Sequence, residues 1–268
     1  MIRILFWNVN KQNLTTHVCS IASGTQSDVI ILNENVIPSS RTLRSLRSSV
    51  TKDFFIPQTI SEDRFHCFCR TTSLDLIELH HGFRLSVRRL KVKEHDLLLA
   101  IVHGVDVRNY DAANRQSFAQ SLASEIEFAK QEHKTNKVVV LGDFNMNPYD
   151  PGMNLAAGLN AMMTKRCVAN GVRRHLGHNY DLYYNPMWSH FGDITLGPAG
   201  TVYDTSSQGA YGWSMFDQAL IHHSLVNIFE RVDIIDNAGN VSLADSNGRP
   251  NNTIASDHFP ILLTLREE

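Results

Sequence analysis

Apolar runs recur along the 268-residue chain, separated by polar and glycine- or proline-bearing stretches. IRILFW from Ile2, DVIILN from Asp28, RFHCFC from Arg64 and HDLLLAIV from His95 read as strands. So do KVVVLG from Lys137, FDQALI from Phe216, RVDII from Arg231 and PILLTL from Pro260. In KVVVLGDFNMNP, the successive apolar residues predict a strand buried on both faces, as in layered α/β proteins. It ends in Asp143 and Asn145, with Pro148 stopping the run. A turn accounts for that carboxylate and amide as well as an active site does, so this stretch alone leaves both open.

Between the strands lie helical patterns. Residues Lys11 to Ser23 form one, and Ser39 to Val50 another, with Ser39 or Ser40 as its cap. The clearest runs from Asp111 to about His133, where Phe118, Leu122, Ile126 and Ala129 share a face. Strands alternating with helices, then strands spaced by longer irregular stretches, predict an α/β sandwich with a mixed sheet. Residues Asn179 to Trp213 are aromatic and poorly periodic, and read as ordered loops. No linker or charge block divides the chain, so residues 1–268 are expected to form one domain.

Composition narrows the function classes. At 43% hydrophobic and 19% charged the chain can bury a large core. A net charge of -2 excludes a generally basic nucleic-acid coat. It leaves room for a local basic patch or for a metal ion that supplies the positive charge. Four cysteines are too few for a disulfide scaffold. His66 beside Cys67 and Cys69 suggests zinc, but no second ligand pair at finger spacing follows. Reduced thiols, an N-terminal apolar run too short for a signal peptide and no membrane-length span predict a cytoplasmic protein.

The chemistry collects at strand ends. ILFWNVN ends in Asn8 and Asn10, VIILNEN reaches Glu34, LLLAIVHG ends in His103, and VVVLGDFN ends in Asp143 and Asn145. Carboxyl ends of neighbouring strands in α/β sheets open onto the crevice where ligands sit. Each residue has an ordinary reading as a packed amide, a solvent-facing carboxylate or a core imidazole. Their recurrence at four strand ends points to one site. Further on, Asp217 sits within an apolar strand, where an unpaired carboxylate is costly to bury. Asp257 and His258 precede the last strand. A buried Asp217 and an edge-exposed His258 would pair, the carboxylate favouring the charged imidazole. Because that group precedes its strand, the strand must run antiparallel to those carrying Glu34 and Asp143 if all meet.

The ordered set WNVN, DVIILNEN, VHGVD, GDFNMNP, FDQALI and SDHFPILL resembles the endonuclease/exonuclease/phosphatase superfamily, with its pancreatic deoxyribonuclease-like fold. The resemblance spans Asn8 to His258. It implies a four-layer α/β sandwich, two packed mixed β-sheets flanked by helices, with a divalent metal at one end. Asn33 stands where the family usually has Gln, and His103 where abasic-site endonucleases commonly have Tyr. The latter counts against a dedicated abasic-site enzyme.

The resemblance further implies Mg²⁺, with Mn²⁺ as a substitute, held by Glu34 and Asp257 with Asn8 or Asn10 in support. Asp143 would activate water, Asn145 would hold that water or a phosphate oxygen, and His258, oriented by Asp217, would stabilise developing charge. His103 and Asn8 would contact phosphate. The expected substrate is nucleic acid, DNA favoured. A phosphatase or phosphodiesterase acting on a small or lipid phosphoester is the alternative. A non-catalytic binding relative would have lost one of these groups, and none is missing. Arg41, Arg44 and Arg47, spaced by three on one helix, and Arg84, Arg88, Arg89, Lys91 and Lys93 are expected to face solvent. Tyr180, Tyr183, Tyr184, Trp188, Phe191, Tyr203, Tyr211 and Trp213 can stack on bases or pack a long loop onto the body.

Overall fold

A computed structural model describes residues 1–60, 64–71, 74–92, 95–192, 194–205 and 212–266. Lys93 and Tyr211 lie outside the described residues. The chain opens with β1 (Ile2–Asn8), α1 (Thr15–Thr25), β2 (Val29–Asn33), α2 (Ser39–Ser49) and β3 (Phe65–Cys69). A meander of β4 (Leu74–Gly82), β5 (Leu85–Val92) and β6 (His95–His103) follows, then α3 (Ala112–Glu132), β7 (Val138–Asp143) and the single turn α4 (Pro151–Asn154). Short strands come next: β8 (Ala161–Met162), the hairpin β9 (Val172–His175) and β10 (His178–Asp181), β11 (Tyr183–Tyr184), and the pair β12 (Val202–Tyr203) and β13 (Trp213–Ser214). The chain closes with β14 (Asp217–His222), β15 (Phe229–Ile234), β16 (Asn237–Ala238), β17 (Val241–Ser242) and β18 (Ile261–Leu265).

Two mixed sheets carry the fold, a five-stranded one in the order β15-β18-β1-β2-β3 and a seven-stranded one in the order β4-β5-β6-β7-β14-β11-β8. Side chains alternate across a strand, and each central strand here is apolar on both faces. Ile4 and Phe6 of β1 point into the space between the sheets, meeting Leu99, Ile101, Val139, Leu141 and Ile221. Leu5 and Trp7, their neighbours, face Val18 and Ile21 of α1 and Leu46 of α2. Leu98 and Ala100 of β6 and Val138 and Val140 of β7 pack on Leu122 and Ile126 of α3. The result is helix, sheet, sheet, helix: the four layers expected from the sequence. The continuous apolar runs are thereby explained. Burying each such Val, Leu or Ile side chain stabilises the fold by about 1.5–3 kcal/mol.

Some local expectations are corrected. Helix α1 starts at Thr15, not Lys11, because Asn10 and Lys11 take left-handed backbone (φ 45 and 59) that no helix can contain. Pro38 occupies the cap position of α2, and neither Ser39 nor Ser40 caps it. The Ser39 hydroxyl pairs instead with Nδ1 of His66 at 2.7 Å, and Asn35 meets the same nitrogen at 3.1 Å. His66 is thus engaged with α2 and the loop before it, while Cys67 and Cys69 are buried. Among the described residues no helix is long and apolar enough to cross a membrane.

The basic strand region also differs from expectation. Arg88 is fully buried, its Nε donating to Ser86 Oγ at 3.1 Å and its Nη2 lying 3.8 Å from the buried Glu78 carboxylate. Arg89 pairs with Asp96 on the surface. Lys91 is exposed.

Candidate active site

Strand register builds one half of the site. Parallel pairing of β6 and β7 sets His103 opposite Asp143, and antiparallel pairing of β7 with β14 sets Asp217 opposite Asp143. Three ionisable groups on three adjacent strands therefore stand level at one end of the seven-stranded sheet. In the other sheet, β1 and β2 run parallel, with Asn8 opposite Asn33 and Glu34 just beyond. Strand β18 runs antiparallel to β1, so Asp257 and His258, which precede it, arrive at the same end. That is the direction the sequence required.

Side chains join the two halves. Asn8 Nδ2 donates to Asp143 Oδ2 at 3.1 Å and to Glu34 Oε1 at 3.4 Å. His103 Nε2 lies 3.4 Å from Glu34 Oε1. His258 Nδ1 pairs with Asp217 Oδ2 at 2.8 Å. The Asn145 backbone N–H donates to Asp143 Oδ1 at 2.9 Å, and its side-chain amide to the Gly104 carbonyl at 3.3 Å. Both Asp143 oxygens are thus held. The backbone is shaped for this: Asn10, Glu34 and Asn145 all have left-handed φ, at 45, 52 and 51. Such conformations are costly for residues with a Cβ and concentrate at functional sites. Gly104 is demanded by space, since a Cβ there would sit 2.1 Å from the Phe144 carbonyl oxygen.

Some expected roles shift with this geometry. Asn8 turns its N–H group toward the carboxylates, while its oxygen accepts the Asn10 N–H at 3.0 Å. Asn10 enters the network through its backbone. His103 meets Glu34 first. His258, expected at an exposed edge, is only 9% exposed, because the residues around it are tied down. Trp7 Nε1 donates to its carbonyl at 2.8 Å, and its N–H donates to Ser256 Oγ at 3.1 Å.

The electrostatics separate the groups. The Glu34 carboxyl is lowered to about 2, chiefly by its hydrogen bond from His103, with Asn8 and Lys11 adding to the effect against partial burial. Burial raises Asp143, and neighbouring Asp217 adds to that, while His258 and His103 oppose it. For His258 burial favours the neutral form, but Asp217, through charge and hydrogen bond, with Asp143 and Asp257, raises it to about 10. His258 is an imidazolium at neutral pH.

Ligand atoms of Asp143, Asp217 and His258 lie within 4.8 Å of one another, close enough to suggest a metal. As an imidazolium His258 offers no lone pair to a metal, and its Nδ1 is already engaged by Asp217 Oδ2. The oxygen-bearing side is Glu34, ionised and half-buried, with the half-buried Asp257. Hard carboxylate oxygens open to water fit a small divalent cation.

Three contributors escaped the sequence reading. Thr201 Oγ1 accepts the N–H groups of Phe216 and Asp217, both at 3.1 Å, and sets the start of β14. Ser256 Oγ donates to the Asn8 carbonyl at 2.6 Å and ties β1 to the His258 segment. Arg84, expected in solvent, is half-buried, with Nη1 donating to the Gly104 carbonyl at 2.9 Å. Only Ser256 had a signal, its place directly before Asp257 and His258.

The aromatic residues divide. Phe191 and Trp213 line a cavity of about 290 Å³ with Tyr149, Gly192 and Ala199. Trp213 also stacks on Phe259, next to His258. Trp188 packs on Tyr149 and Phe191, Tyr203 packs on Trp213 beneath Arg249, and Tyr183 and Tyr184 are buried. Tyr180 sits on the β9–β10 hairpin. Arg41, Arg44 and Arg47 are exposed on α2 as expected, Arg47 donating to the Phe54 carbonyl.

No family model and no curated protein matches the sequence. Solved structures do. D. rerio TDP2, complexed with single-strand DNA product, is 18% identical with a TM-score of 0.58, over 99% of each chain. The endonuclease domain of TRAS1, a telomere-specific non-LTR retrotransposon, is 13% identical with a TM-score of 0.57, over the full length of both chains. An endonuclease/exonuclease/phosphatase family protein from Bacteroides thetaiotaomicron is 14% identical with a TM-score of 0.58, over 98% of this chain and 94% of that one. At such identities the likeness shows the fold alone: this chain has the deoxyribonuclease-like architecture that these structures share.

Proposed function

We propose that the chain is a Mg²⁺-dependent phosphodiester hydrolase that cleaves nucleic acid, DNA favoured, by in-line attack of water. The observation that carries this reading is the His258–Asp217 pair set beside the fixed Asp143 carboxylate, with Glu34 on the far side of Asn8. Hydrolysis of a phosphodiester builds charge on the phosphoryl oxygens, and its barrier falls chiefly through positioning and electrostatic stabilisation.

Each residue supplies one part. Asp143, raised by burial and held at both oxygens, orients the attacking water and takes its proton. Asn145 steadies that water or a phosphate oxygen. His258, its Nδ1 committed to Asp217, donates from Nε2 to the phosphate as charge grows. His103 keeps Glu34 ionised and oriented. Glu34 and Asp257 would hold Mg²⁺, or Mn²⁺ in its place, with Asn8 and Asn10 shaping the loop around them. The bound cation would supply Lewis-acid polarisation of the phosphate and charge neutralisation.

Nucleic acid is favoured because two similar structures are a TDP2 bound to single-strand DNA product and a retrotransposon endonuclease domain. The Phe191–Trp213 cavity beside the His258 segment offers aromatic surface to such a substrate. The second reading, a phosphatase or phosphodiesterase for small or lipid phosphoesters, draws on the net charge of -2 and uses the same residues. Cysteines that form no disulfide among the described residues suit a reducing, cytoplasmic setting, with residues 1–268 acting as one domain.

Purified protein incubated with supercoiled plasmid, RNA and 4-nitrophenyl phosphate, in Mg²⁺ and in EDTA, tests the reading. Nicking that needs Mg²⁺ is expected. Intact plasmid and RNA alongside a hydrolysed phosphomonoester would replace it with the second reading.

A further inference from the structure

Strand β11 lies at the far end of the seven-stranded sheet from Asp143. It pairs antiparallel with β14, Tyr183 standing opposite His222 and Tyr184 opposite Ile221. Neighbouring side chains on a strand point to opposite faces. Tyr184 therefore joins the core between the sheets, and Tyr183 turns to the layer that holds α3. There a cavity of about 510 Å³ opens between α3, residues 156–159 and the β9–β10 hairpin. Its volume lies within the range of small-molecule sites, about 300–1,000 Å³. Glu127, Phe128, Tyr180, Asp181 and Tyr183 stand in its wall.

Three features of that wall are left unmatched. The first is charge. Lys130, 3% exposed, contacts both Glu127 and Asp181, so one ammonium serves two carboxylates. His222 takes the Ser224 N–H at Nδ1, which leaves its Nε2 to donate to Asp181 Oδ2 at 3.0 Å. Lys130 uses that same oxygen, and Oδ1 of Asp181 accepts no hydrogen bond among the described residues. The second is the Tyr183 hydroxyl. Tyr183 is 8% exposed, yet its hydroxyl has no hydrogen-bond partner among the described residues. Burial, reinforced by the Asp181 and Glu127 charges, keeps it protonated. Both of those carboxylates line the cavity, so the hydroxyl is directed there. A buried hydroxyl is costly to leave unpaired. The third is apolar surface. Phe128 is 56% exposed at the wall, and Tyr180 stands on the hairpin beside His178.

We propose that this cavity binds a small organic cation with N–H donors, a primary ammonium or guanidinium on an aliphatic chain. The charged head lies against Asp181 and Glu127 and donates to the Tyr183 hydroxyl. Its chain rests on the aromatic surface of Phe128 and Tyr180. A quaternary ammonium has no donor for that hydroxyl. An anion would meet two carboxylates, since Lys130 is enclosed by them. A bare metal ion would have to displace the Lys130 ammonium, and the aromatic wall gives it no ligand. None of these residues belongs to the hydrolytic site, so the inference stands apart from the phosphodiesterase reading.

Equilibrium dialysis of the full chain against radiolabelled agmatine, which carries both head groups, tests this at constant ionic strength. Agmatine should bind at one site, and tetramethylammonium should displace it only at about 10-fold higher concentration or above. Tyr183→Phe removes the hydroxyl alone and should raise the agmatine Kd by about 10-fold. Glu127→Gln, at a half-exposed position, should raise it by about 3-fold. Glu34→Gln, at the other end of the molecule, should bind as the wild type does. Absence of binding at about 10 mM agmatine would overturn the proposal. So would equal Kd values for the wild type and Tyr183→Phe, or equal competition by tetramethylammonium. Loss of binding in Glu34→Gln would overturn it too, by placing the cation among the carboxylates beside Asp143. Should Tyr183→Phe not fold, Glu127→Gln decides: weaker binding supports the site, and an unchanged Kd refutes it.

Discussion

Asp217, the first residue of β14, and His258, two residues before the end of the loop into β18, meet at 2.8 Å and join the two sheets at the site. Asp217 is fully buried, and its other oxygen has no hydrogen-bond partner among the described residues. Its charge is compensated by the imidazolium. Folding raises His258 to about 10, above its ordinary value near 6.5. The pair's stabilisation is therefore complete below about 6.5 and is lost as pH rises through about 10.

Asp217→Asn keeps the shape and removes the charge. Burial then dominates His258 and its proton is released at lower pH. We expect kcat at neutral pH to fall by about 100-fold or more, with the alkaline limb of the kcat profile moved toward acid. A pH–rate profile checks this, and an unmoved alkaline limb would count against the imidazolium role.

Glu34→Gln tests the cation side. The amide keeps the size but loses the charged oxygen that His103 holds ionised. The Mg²⁺ concentration giving half-maximal rate should rise by about 10-fold or more, with excess Mg²⁺ restoring part of the rate. Titration of activity against Mg²⁺ measures it. An unchanged midpoint would remove Glu34 from the metal site.

A stability prediction concerns the opposite end of β14. Lys130, only 3% exposed, contacts Asp181 and Glu127, and His222 Nε2 lies 3.0 Å from the same Asp181 oxygen. Asp181, His222 and His223 are close enough for a metal, yet Lys130 already supplies the cation and the Ser224 N–H donates to His222 Nδ1. Hydrogen bonds from His222, then Lys130, hold the Asp181 carboxyl below its ordinary range. That stabilisation is present above the unfolded value of about 3.9 and is lost as pH falls through the lower folded value. Asp181→Asn should cost about 1–3 kcal/mol at pH 7, because the buried Lys130 would keep only the half-exposed Glu127 as its charge partner. Urea denaturation of variant and wild type at pH 7 and pH 3 should show that gap narrowing at low pH. Equal midpoints at pH 7 would contradict it.

How much of this was legible beforehand follows from which interactions are local. Strands β1, β2, β6, β7 and β18 are buried on both faces, so their apolar runs announced them and their polar ends announced Glu34, His103 and Asp143. Strand β4 alternates buried and exposed positions and carries Glu78 inward, so no apolar run marked it. Arg88 looked like a surface charge because its partner Glu78 lies across a strand pair. Thr201 and Arg84 serve the site only through register set by strands far away in sequence. The direction of the Asn8 amide depends on a backbone turn at Asn10 that composition does not signal.

The central claim is that Asp143 activates water for attack on a phosphodiester. Asp143 is 1% exposed and accepts an N–H group at each oxygen, so Asp143→Asn keeps the size but sets its NH₂ group against one of those donors, and the fold of the variant is checked directly. The direct measurement is the single-turnover rate of plasmid nicking in Mg²⁺ by wild type and Asp143→Asn, with circular dichroism confirming that both are folded. A fall of about 10²–10⁴-fold in the variant is the predicted result. An Asp143→Asn protein that is folded and nicks at the wild-type rate would contradict the account.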